Sequence, residues 1–261
     1  MRPNVKVLLL GLSALAIFIV YWFIDYHVES EDFELKKADF AALYSVESQD
    51  STAALSPSVA LANTTDGAPF KHEPDSNQNI LFIGDSMLEG LCKRFIDYAD
   101  QNNHDLHTVI WYSSSTELWA NTDTLQYFLN KFDPSYVVIC LGGNELFVKD
   151  IPKRTEYIKK IAKKLEKVPF VWVGPPNWKK DTGINNAILS VMGPKRFFDS
   201  SELKLARGAD HRHPTYPAAA IWMDTIARWI KSEGCEYPIK MDWPEKDVPS
   251  RNVTMLSPLK N

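Results

Sequence analysis

Short apolar runs alternate with amphipathic stretches in the middle of the chain, and this alternation restricts the fold more than any other feature. The apolar runs predict strands at residues 80–83, 108–111, 136–141 and 170–173. Apolar residues at helical spacing predict helices at residues 87–101, 122–132, 153–167 and 217–231. Successive strands that are joined by helices pair in parallel. The sequence therefore predicts an α/β fold, a parallel sheet with helices on both faces.

The N-terminus carries a long apolar run at residues 7–24, preceded by Arg2 and Lys6. As a helix this run would span roughly 27 Å, close to the hydrocarbon thickness of a bilayer. Positive residues before the run and acidic residues after it favour a chain whose body faces outward. We interpret residues 1–24 as an uncleaved signal anchor, a transmembrane helix. A cleaved signal peptide is the alternative, but no small-x-small cleavage site follows the run.

The remaining boundaries follow from composition. Residues 25–77 are polar and weakly periodic, which predicts a flexible stalk. Residues 78–232 hold the strand and helix pattern and form the predicted domain. Residues 233–261 contain four prolines and are expected to be an irregular tail.

Composition excludes some classes of protein. Of the 261 residues, 45% are hydrophobic, which suffices for one sizeable core. The formal net charge of -4 leaves no basic footprint, so we expect no nucleic-acid partner. The three cysteines are an odd number, and we expect Cys92 and Cys140 to be core residues rather than nucleophiles or parts of a disulfide framework.

Ser86 follows the first predicted strand of the sheet, in the stretch ILFIGDSMLEG. A serine at a strand-to-helix junction can cap the helix, bind phosphate or act as a nucleophile. A nucleophilic serine needs a base, a group that orients the base, and oxyanion donors. Candidates for these roles are His213, Asp210 and Asn144, the last acting beside the backbone N–H of Ser86. All of these residues follow predicted strands or precede the last predicted helix.

Two simpler interpretations compete with this one. Asp210, His211 and His213 are a possible metal site, but three ligands on one short loop without a fourth are poor zinc geometry. Asn144 after two glycines is also a common turn former. We therefore predict no metal and no organic cofactor.

The motifs GDS, GGN and DxxHP, in this order and together with WVGPPN at residues 172–177, resemble those of the SGNH/GDSL hydrolase superfamily. The resemblance covers about residues 78–232. It implies a flavodoxin-like, three-layer α/β/α fold, with Ser86 as nucleophile, Asn144 as an oxyanion donor, and Asp210 and His213 completing the triad. The G-x-S-x-G elbow of ordinary α/β-hydrolases does not occur in the sequence.

The chain departs from the superfamily pattern after its second strand. A glycine whose backbone N–H is a third oxyanion donor is usual there, whereas this chain reads SSSTELW, with Ser115, Thr116 and Glu117 in that region. Loss of one donor costs about 3 to 4 kcal/mol of transition-state stabilisation. The sequence does not identify a replacement, and it predicts reduced or specialised activity.

The leading hypothesis is a serine esterase, anchored in the membrane and facing outside the cytoplasm, which in a bacterium would place it in the periplasm or at the cell surface. It would remove acyl groups, most plausibly acetyl, from a cell-envelope carbohydrate. One alternative is an O-acyltransferase that uses the same acyl-enzyme. The other is a catalytically weak relative that binds glycan or acts as a scaffold.

Overall fold

A computed structural model of the chain describes residues 27–30, 33–36, 72–249 and 253–259. Strands β1 (His27–Ser30) and β2 (Phe33–Lys36) pair antiparallel within a unit that spans Met1–Ala62. All other described elements belong to a second unit, Asn63–Asn261. The predicted anchor at 1–24 and most of the predicted stalk lie outside the described residues. Among the helices that the structure describes, none is both long enough and apolar enough to cross a bilayer.

The second unit contains a six-stranded parallel sheet with the order β7-β6-β5-β3-β4-β8. Its strands are β3 (Asn79–Gly84), β4 (Asp105–Trp111), β5 (Tyr136–Cys140), β6 (Phe170–Val173), β7 (Phe197–Phe198) and β8 (Val253–Leu256). Without the edge strand β8, this is the strand order of the flavodoxin-like fold. The predicted α/β class and parallel sheet are confirmed.

Six α-helices of this unit are described, and four of them match predicted helices. They are α1 (Leu88–Gln101), α2 (Thr116–Asn121), α3 (Thr124–Phe132), α4 (Ile151–Lys164), α5 (Ile184–Met192) and α6 (Tyr216–Lys231). The sequence analysis missed α2 and α5. Helix α2 has only six residues, too few for helical periodicity to show, and α5 follows a stretch rich in glycine and proline.

The two faces of the sheet carry separate cores because successive side chains of a strand point to opposite faces. Ile80 and Phe82 of β3 pack with apolar residues of α1 and α6. Leu81 and Ile83 of the same strand pack with apolar residues of α2 to α5. The helices therefore form one layer on each side of the sheet.

The C-terminal segment, expected to be an irregular tail, adds the edge strand β8 to the sheet. The described part of the segment before β8 lacks regular structure. Buried side chains of the domain form hydrogen bonds with its backbone N–H and C=O groups instead. Asn102 bonds both N–H and C=O of Asp242, Asp97 accepts the Val248 N–H at 2.9 Å, and Tyr136 donates to the Tyr237 carbonyl at 2.8 Å. Such contacts come from distant parts of the chain, so local sequence pattern does not reveal them.

Strands β3 and β5 lie very close to each other at Gly84. A Cβ atom on Gly84 would lie 2.0 Å from the carbonyl oxygen of Cys140 and 2.4 Å from a methyl carbon of Leu88. The first of these neighbours is backbone and cannot move aside. Only glycine therefore fits at the end of β3, two residues before Ser86.

We predict that Gly84→Ala lowers the free energy of unfolding by about 3 kcal/mol, because the added methyl group forces β3 and β5 apart. Urea denaturation of the variant and the wild type measures this loss. Gly208→Ala is the control, since a Cβ there would meet no atom closer than 3.7 Å, and its effect should stay within about 0.5 kcal/mol. Equal effects of the two substitutions would contradict the prediction.

Candidate active site

The site lies where the strand order reverses. From β3 the chain passes to β4 on one side, whereas β5 lies on the other side of β3. Loops that leave the carboxyl ends of strands at such a switch point diverge and leave a crevice between them. The loop after β3 carries Ser86, and the 3-10 turn Gly143–Glu145 after β5 carries Asn144.

Ser86 is half-buried at the start of α1, and its hydroxyl contacts a histidine. The distance from Ser86 Oγ to His213 Nε2 is 2.8 Å. The N-cap residue of α1 is Met87, and no side chain caps this helix. The structure thus decides against Ser86 as a helix cap and pairs its hydroxyl with a nitrogen base.

His213 is held by a tight turn that precedes α6. An antiparallel bridge joins Arg207 to Pro214, and Oδ1 of Asp210 accepts the backbone N–H groups of Arg212 at 3.0 Å and His213 at 3.1 Å. The second carboxylate oxygen of Asp210 bonds to Nδ1 of the His213 ring. Asp210 therefore both closes the turn and orients the imidazole.

This arrangement sets the proton positions on the ring. Backbone N–H donors, and then the His213 ring, lower the pKa of Asp210 well below its ordinary value, so Asp210 is a carboxylate and only accepts hydrogen bonds. Nδ1 of His213 must then carry the proton. Nε2 is left as the acceptor for the Ser86 hydroxyl, which is the arrangement that allows a serine proton to be removed.

Asn144 is exposed at the crevice, and its amide Nδ2 donates to the Ser114 carbonyl at 2.9 Å. An amide nitrogen has two hydrogens, so one remains for a ligand. The backbone N–H of Ser86 has no acceptor among the residues that the structure describes. These two donors are available to a developing oxyanion.

The SSSTELW loop takes a shape that the sequence did not reveal. Ser113 has φ of 58°, whereas Ser115 is extended with φ of -134°. The Thr116 N–H donates to Oε2 of the buried Glu145 at 2.8 Å, and the Thr116 hydroxyl donates to Oε1 at 2.7 Å. Thr116 is therefore excluded as the replacement oxyanion donor. Within the described chain the N–H of Ser115 has no acceptor, which leaves it available.

Glu117 of the same loop faces away from the crevice. Its carboxylate accepts from Arg154 at 3.0 Å and from the hydroxyl of Tyr157 at 2.8 Å, both on α4. Arg154 also lies 3.4 Å from Glu145, so one guanidinium joins the loop after β4 to the turn after β5. This network fixes the relative position of the two loops.

Asp85 is a site residue that the sequence analysis missed. It is 1% exposed, and its two carboxylate oxygens accept the N–H groups of Met87 at 3.0 Å and Gly143 at 3.1 Å. It therefore joins the loop that carries Ser86 to the turn that carries Asn144. Burial raises the pKa of Asp85 to about 6. The only sequence signal for this role is its position between Gly84 and Ser86.

The His213 ring and two of the cysteines have surroundings that bear on the alternative interpretations of the sequence. Both ring nitrogens of His213 are already engaged, and the described residues contain no group of three metal-ligating side chains. Cys140 and Cys235 are buried, and burial raises the pKa of both thiols, to about 11 for Cys235. Such thiols are poor nucleophiles at neutral pH.

A pocket of about 450 Å³ opens beside these groups and is lined by Ser86, Asn144 and His213. Phe147 and Trp178 form an aromatic pair in its wall, with ring centroids 5.8 Å apart at an angle of 83°. A second pocket, of about 240 Å³, lies against Ser86 and His213 and is lined also by Glu89 and Tyr216. Ser86 and His213 thus line both pockets.

The resemblance to the SGNH/GDSL hydrolase superfamily extends to this structure, in which the three motifs meet at one edge of a sheet with flavodoxin-like strand order. No protein-family model matches the sequence, and no curated protein matches it.

Several solved structures are similar to the chain. A two-domain esterase active on acetylated mannans has a TM-score of 0.47 at 14% identity, and the match covers 66% of this chain and 53% of that one. A lipolytic protein of the G-D-S-L family from Desulfitobacterium hafniense DCB-2 has a TM-score of 0.42 at 16% identity, covering 59% and 99%. The periplasmic domain of a lipopolysaccharide acetyltransferase from Salmonella ser. Paratyphi A has a TM-score of 0.40 at 17% identity, covering 60% and 85%.

Asp85 should make the stability of the fold depend on pH. Its pKa is about 6 in the folded chain and near 3.8 when unfolded, so the stability it contributes is present below pH 4 and is lost as the pH rises through 6. Asp85→Asn does not titrate. Between pH 4 and pH 7 we expect the unfolding free energy of the wild type to fall by about 2 kcal/mol relative to this variant.

Urea denaturation of both proteins at several pH values in this range measures the difference. A difference that stays constant from pH 4 to pH 7 would show that Asp85 does not titrate there.

Proposed function

We propose that this chain is a serine esterase in which Ser86 attacks an acyl ester. The observation that carries the proposal is the continuous line of contacts from Ser86 Oγ through the His213 ring to Asp210, beside an open pocket. Asn144 and the Ser86 N–H lie on the same crevice as potential oxyanion donors. No metal or organic cofactor is required for this chemistry.

The reaction proceeds in two halves. The Ser86 oxygen attacks the carbonyl carbon while its proton passes to Nε2 of His213, and the negative charge on the carbonyl oxygen is held by the two donors. The bond to the alcohol oxygen then breaks, and Nε2 returns the proton to that oxygen. Water attacks the acyl-enzyme, again losing a proton to Nε2, and the carboxylic acid leaves as Ser86 is restored.

The proposed substrate is an acyl ester, with acetyl as the acyl group, on a carbohydrate of the cell envelope. The support is the aromatic pair Phe147 and Trp178, because the electron-rich faces of aromatic rings attract the C–H groups of a sugar ring. The envelope location rests on the apolar run at residues 7–24, which we propose to be a membrane anchor that leaves the domain outside the cytoplasm.

Acyl transfer to a sugar hydroxyl is the second candidate, and the pocket lined by Glu89 and Tyr216 favours it. This pocket lies on Ser86 and His213 and offers an acceptor alcohol a place apart from the first pocket. If transfer occurs, adding acceptor sugar diverts acetyl from free acetate to the sugar. Product analysis at saturating acceptor that finds only acetate removes this candidate for that acceptor.

Ser86→Ala should abolish the stoichiometric burst of nitrophenolate that the full chain gives on rapid mixing with p-nitrophenyl acetate, because no acyl-enzyme can form. Ser190→Ala is the control, since Ser190 lies on α5, outside the linings of both pockets, and its hydroxyl donates to the Ala187 carbonyl. It should keep the wild-type burst. A burst of equal size in Ser86→Ala would exclude Ser86 as the nucleophile.

Asp210→Asn should lower kcat/KM on the same ester by about 10³-fold. Asparagine keeps an oxygen for the two backbone N–H groups of the turn but presents an amide N–H₂ to Nδ1 of His213. The ring then carries its proton on Nε2 and cannot accept the Ser86 proton. Steady-state kinetics measures the loss, and a fall of less than about 10-fold would show that Asp210 only closes the turn.

A further inference from the structure

A groove continues the first pocket away from Ser86, and its lining is basic. This groove, here called the basic groove, has a volume of about 600 Å³ and is lined by Trp178, Lys179, Lys180, Lys204, Arg207 and His211, among others. It shares Trp178, Lys179 and His211 with the pocket at Ser86. The two cavities therefore form one continuous surface from the serine outward.

Most of the cationic charge of this surface is free to meet a ligand. Lys179, Lys180, Lys204 and the Arg212 side chain, which lines the first pocket, are exposed and have no hydrogen-bond or ion-pair partner among the described residues. Arg207 is different, because its guanidinium is half-buried and donates to the carbonyls of Arg212, Pro176 and Asn177. It positions the His213 turn.

With Arg207 the joint lining carries five cationic side chains and three carboxylates, Asp85, Asp210 and Glu202. Asp85 is buried and bonded to two backbone N–H groups, and Asp210 is bonded to His213. Glu202 is the remaining carboxylate of the lining. The surface is positive although the whole chain has a net charge of -4.

Another lysine-rich pocket of the domain has a different character. Lys163 and Lys167 line a pocket of about 610 Å³, but Asp133 and Glu166 line it too, and Lys163 forms an ion pair with Glu166. That pocket does not include Ser86 or an aromatic side chain. Its lysines serve as the comparison for the lysines of the basic groove.

We propose that the basic groove binds the negatively charged sugars of an acylated polyanionic glycan and presents an ester of the same chain to Ser86. The proposal rests on the esterase function above and names its substrate class. Lys179, Lys180, Lys204 and Arg212 meet carboxylate or phosphate groups, and Trp178 stacks on a sugar ring between the groove and the serine. The surface extends over two adjoining cavities of about 450 and 600 Å³, which suits a polymer rather than a small ester.

The test uses the full chain and three chemically acetylated polymers. They are polygalacturonate, which carries carboxylates, dextran phosphate, which carries phosphates, and unmodified dextran, which is neutral. Released acetate gives kcat and KM for the wild type, for Lys179→Gln/Lys204→Gln, and for the control Lys163→Gln/Lys167→Gln, which removes the same charge elsewhere.

For Lys179→Gln/Lys204→Gln we expect KM on at least one of the anionic polymers to rise about 10-fold, while KM on acetylated dextran changes less than about 2-fold. The control variant should match the wild type on all three polymers. Wild-type KM on the anionic polymer should also rise with salt, because salt screens exposed charges. Comparison of polygalacturonate with dextran phosphate tells which anion the groove prefers. Equal KM values of both lysine variants on every polymer would overturn the proposal.

Binding separates this proposal from the esterase function. Calorimetric titration of Ser86→Ala with the unacetylated polymers needs no chemistry, and the same titration with Lys179→Gln/Lys204→Gln added should show weaker binding of the anionic polymer. If the lysine substitutions abolish binding and the wild type releases no acetate, the groove proposal is supported and the esterase proposal is rejected. Acetate release by a wild type that binds charged and neutral polymers alike supports the esterase and rejects the groove.

Discussion

The contact between β3 and β5 is the constraint on which the rest of the site depends. Gly84 lets the two strands approach until the Asp85 N–H reaches the Cys140 carbonyl at 3.3 Å, and the Asp85 carboxylate then accepts the Gly143 N–H. Two loops that would otherwise diverge at a switch point are thereby joined at their bases. Ser86 directly follows Asp85, and Asn144 directly follows Gly143. The hydrogen bond between Asp85 and Gly143 therefore sets the positions of both site residues.

Two aspartates of the site have opposite environments and opposite uses. Asp85 is buried, so its charge is costly and its pKa is raised, and it works by fixing backbone. Asp210 is 46% exposed, and several donors lower its pKa, so it remains charged and fixes the tautomer of His213. The difference arises because Asp85 is buried directly after the central strand β3, whereas Asp210 lies on a loop where solvent stabilises its charge.

The aromatic and basic lining of the pocket and of the basic groove comes mostly from three segments that meet only in the folded chain. The loop after β6 brings Trp178, Lys179 and Lys180, the segment after β7 brings Lys204, and the turn before α6 brings Arg212 with His213. Ser86 and Asn144 thus lie on the loops after β3 and β5, and His213 and Asp210 lie on the turn before α6. The exposed cationic side chains and Trp178 come mostly from the loops after β6 and β7. The contacts from Ser86 through His213 to Asp210 involve none of the residues from the loops after β6 and β7.

The sequence alone determined the α/β class and the central strands, because hydrophobic periodicity is a local property of a chain. It also grouped Ser86, Asn144, Asp210 and His213 as one candidate site, because their motifs and the order of these motifs can be recognised without the structure. It did not reveal Asp85 or Glu145 as buried ties between loops, since burial of a charge depends on what packs around it. It also did not reveal β8, because a lone edge strand is defined by its neighbour β4 rather than by its own pattern. The positive φ of Ser113, the free N–H of Ser115 and the continuity of the basic groove were likewise decided only by tertiary structure, which brings separate segments within bonding distance.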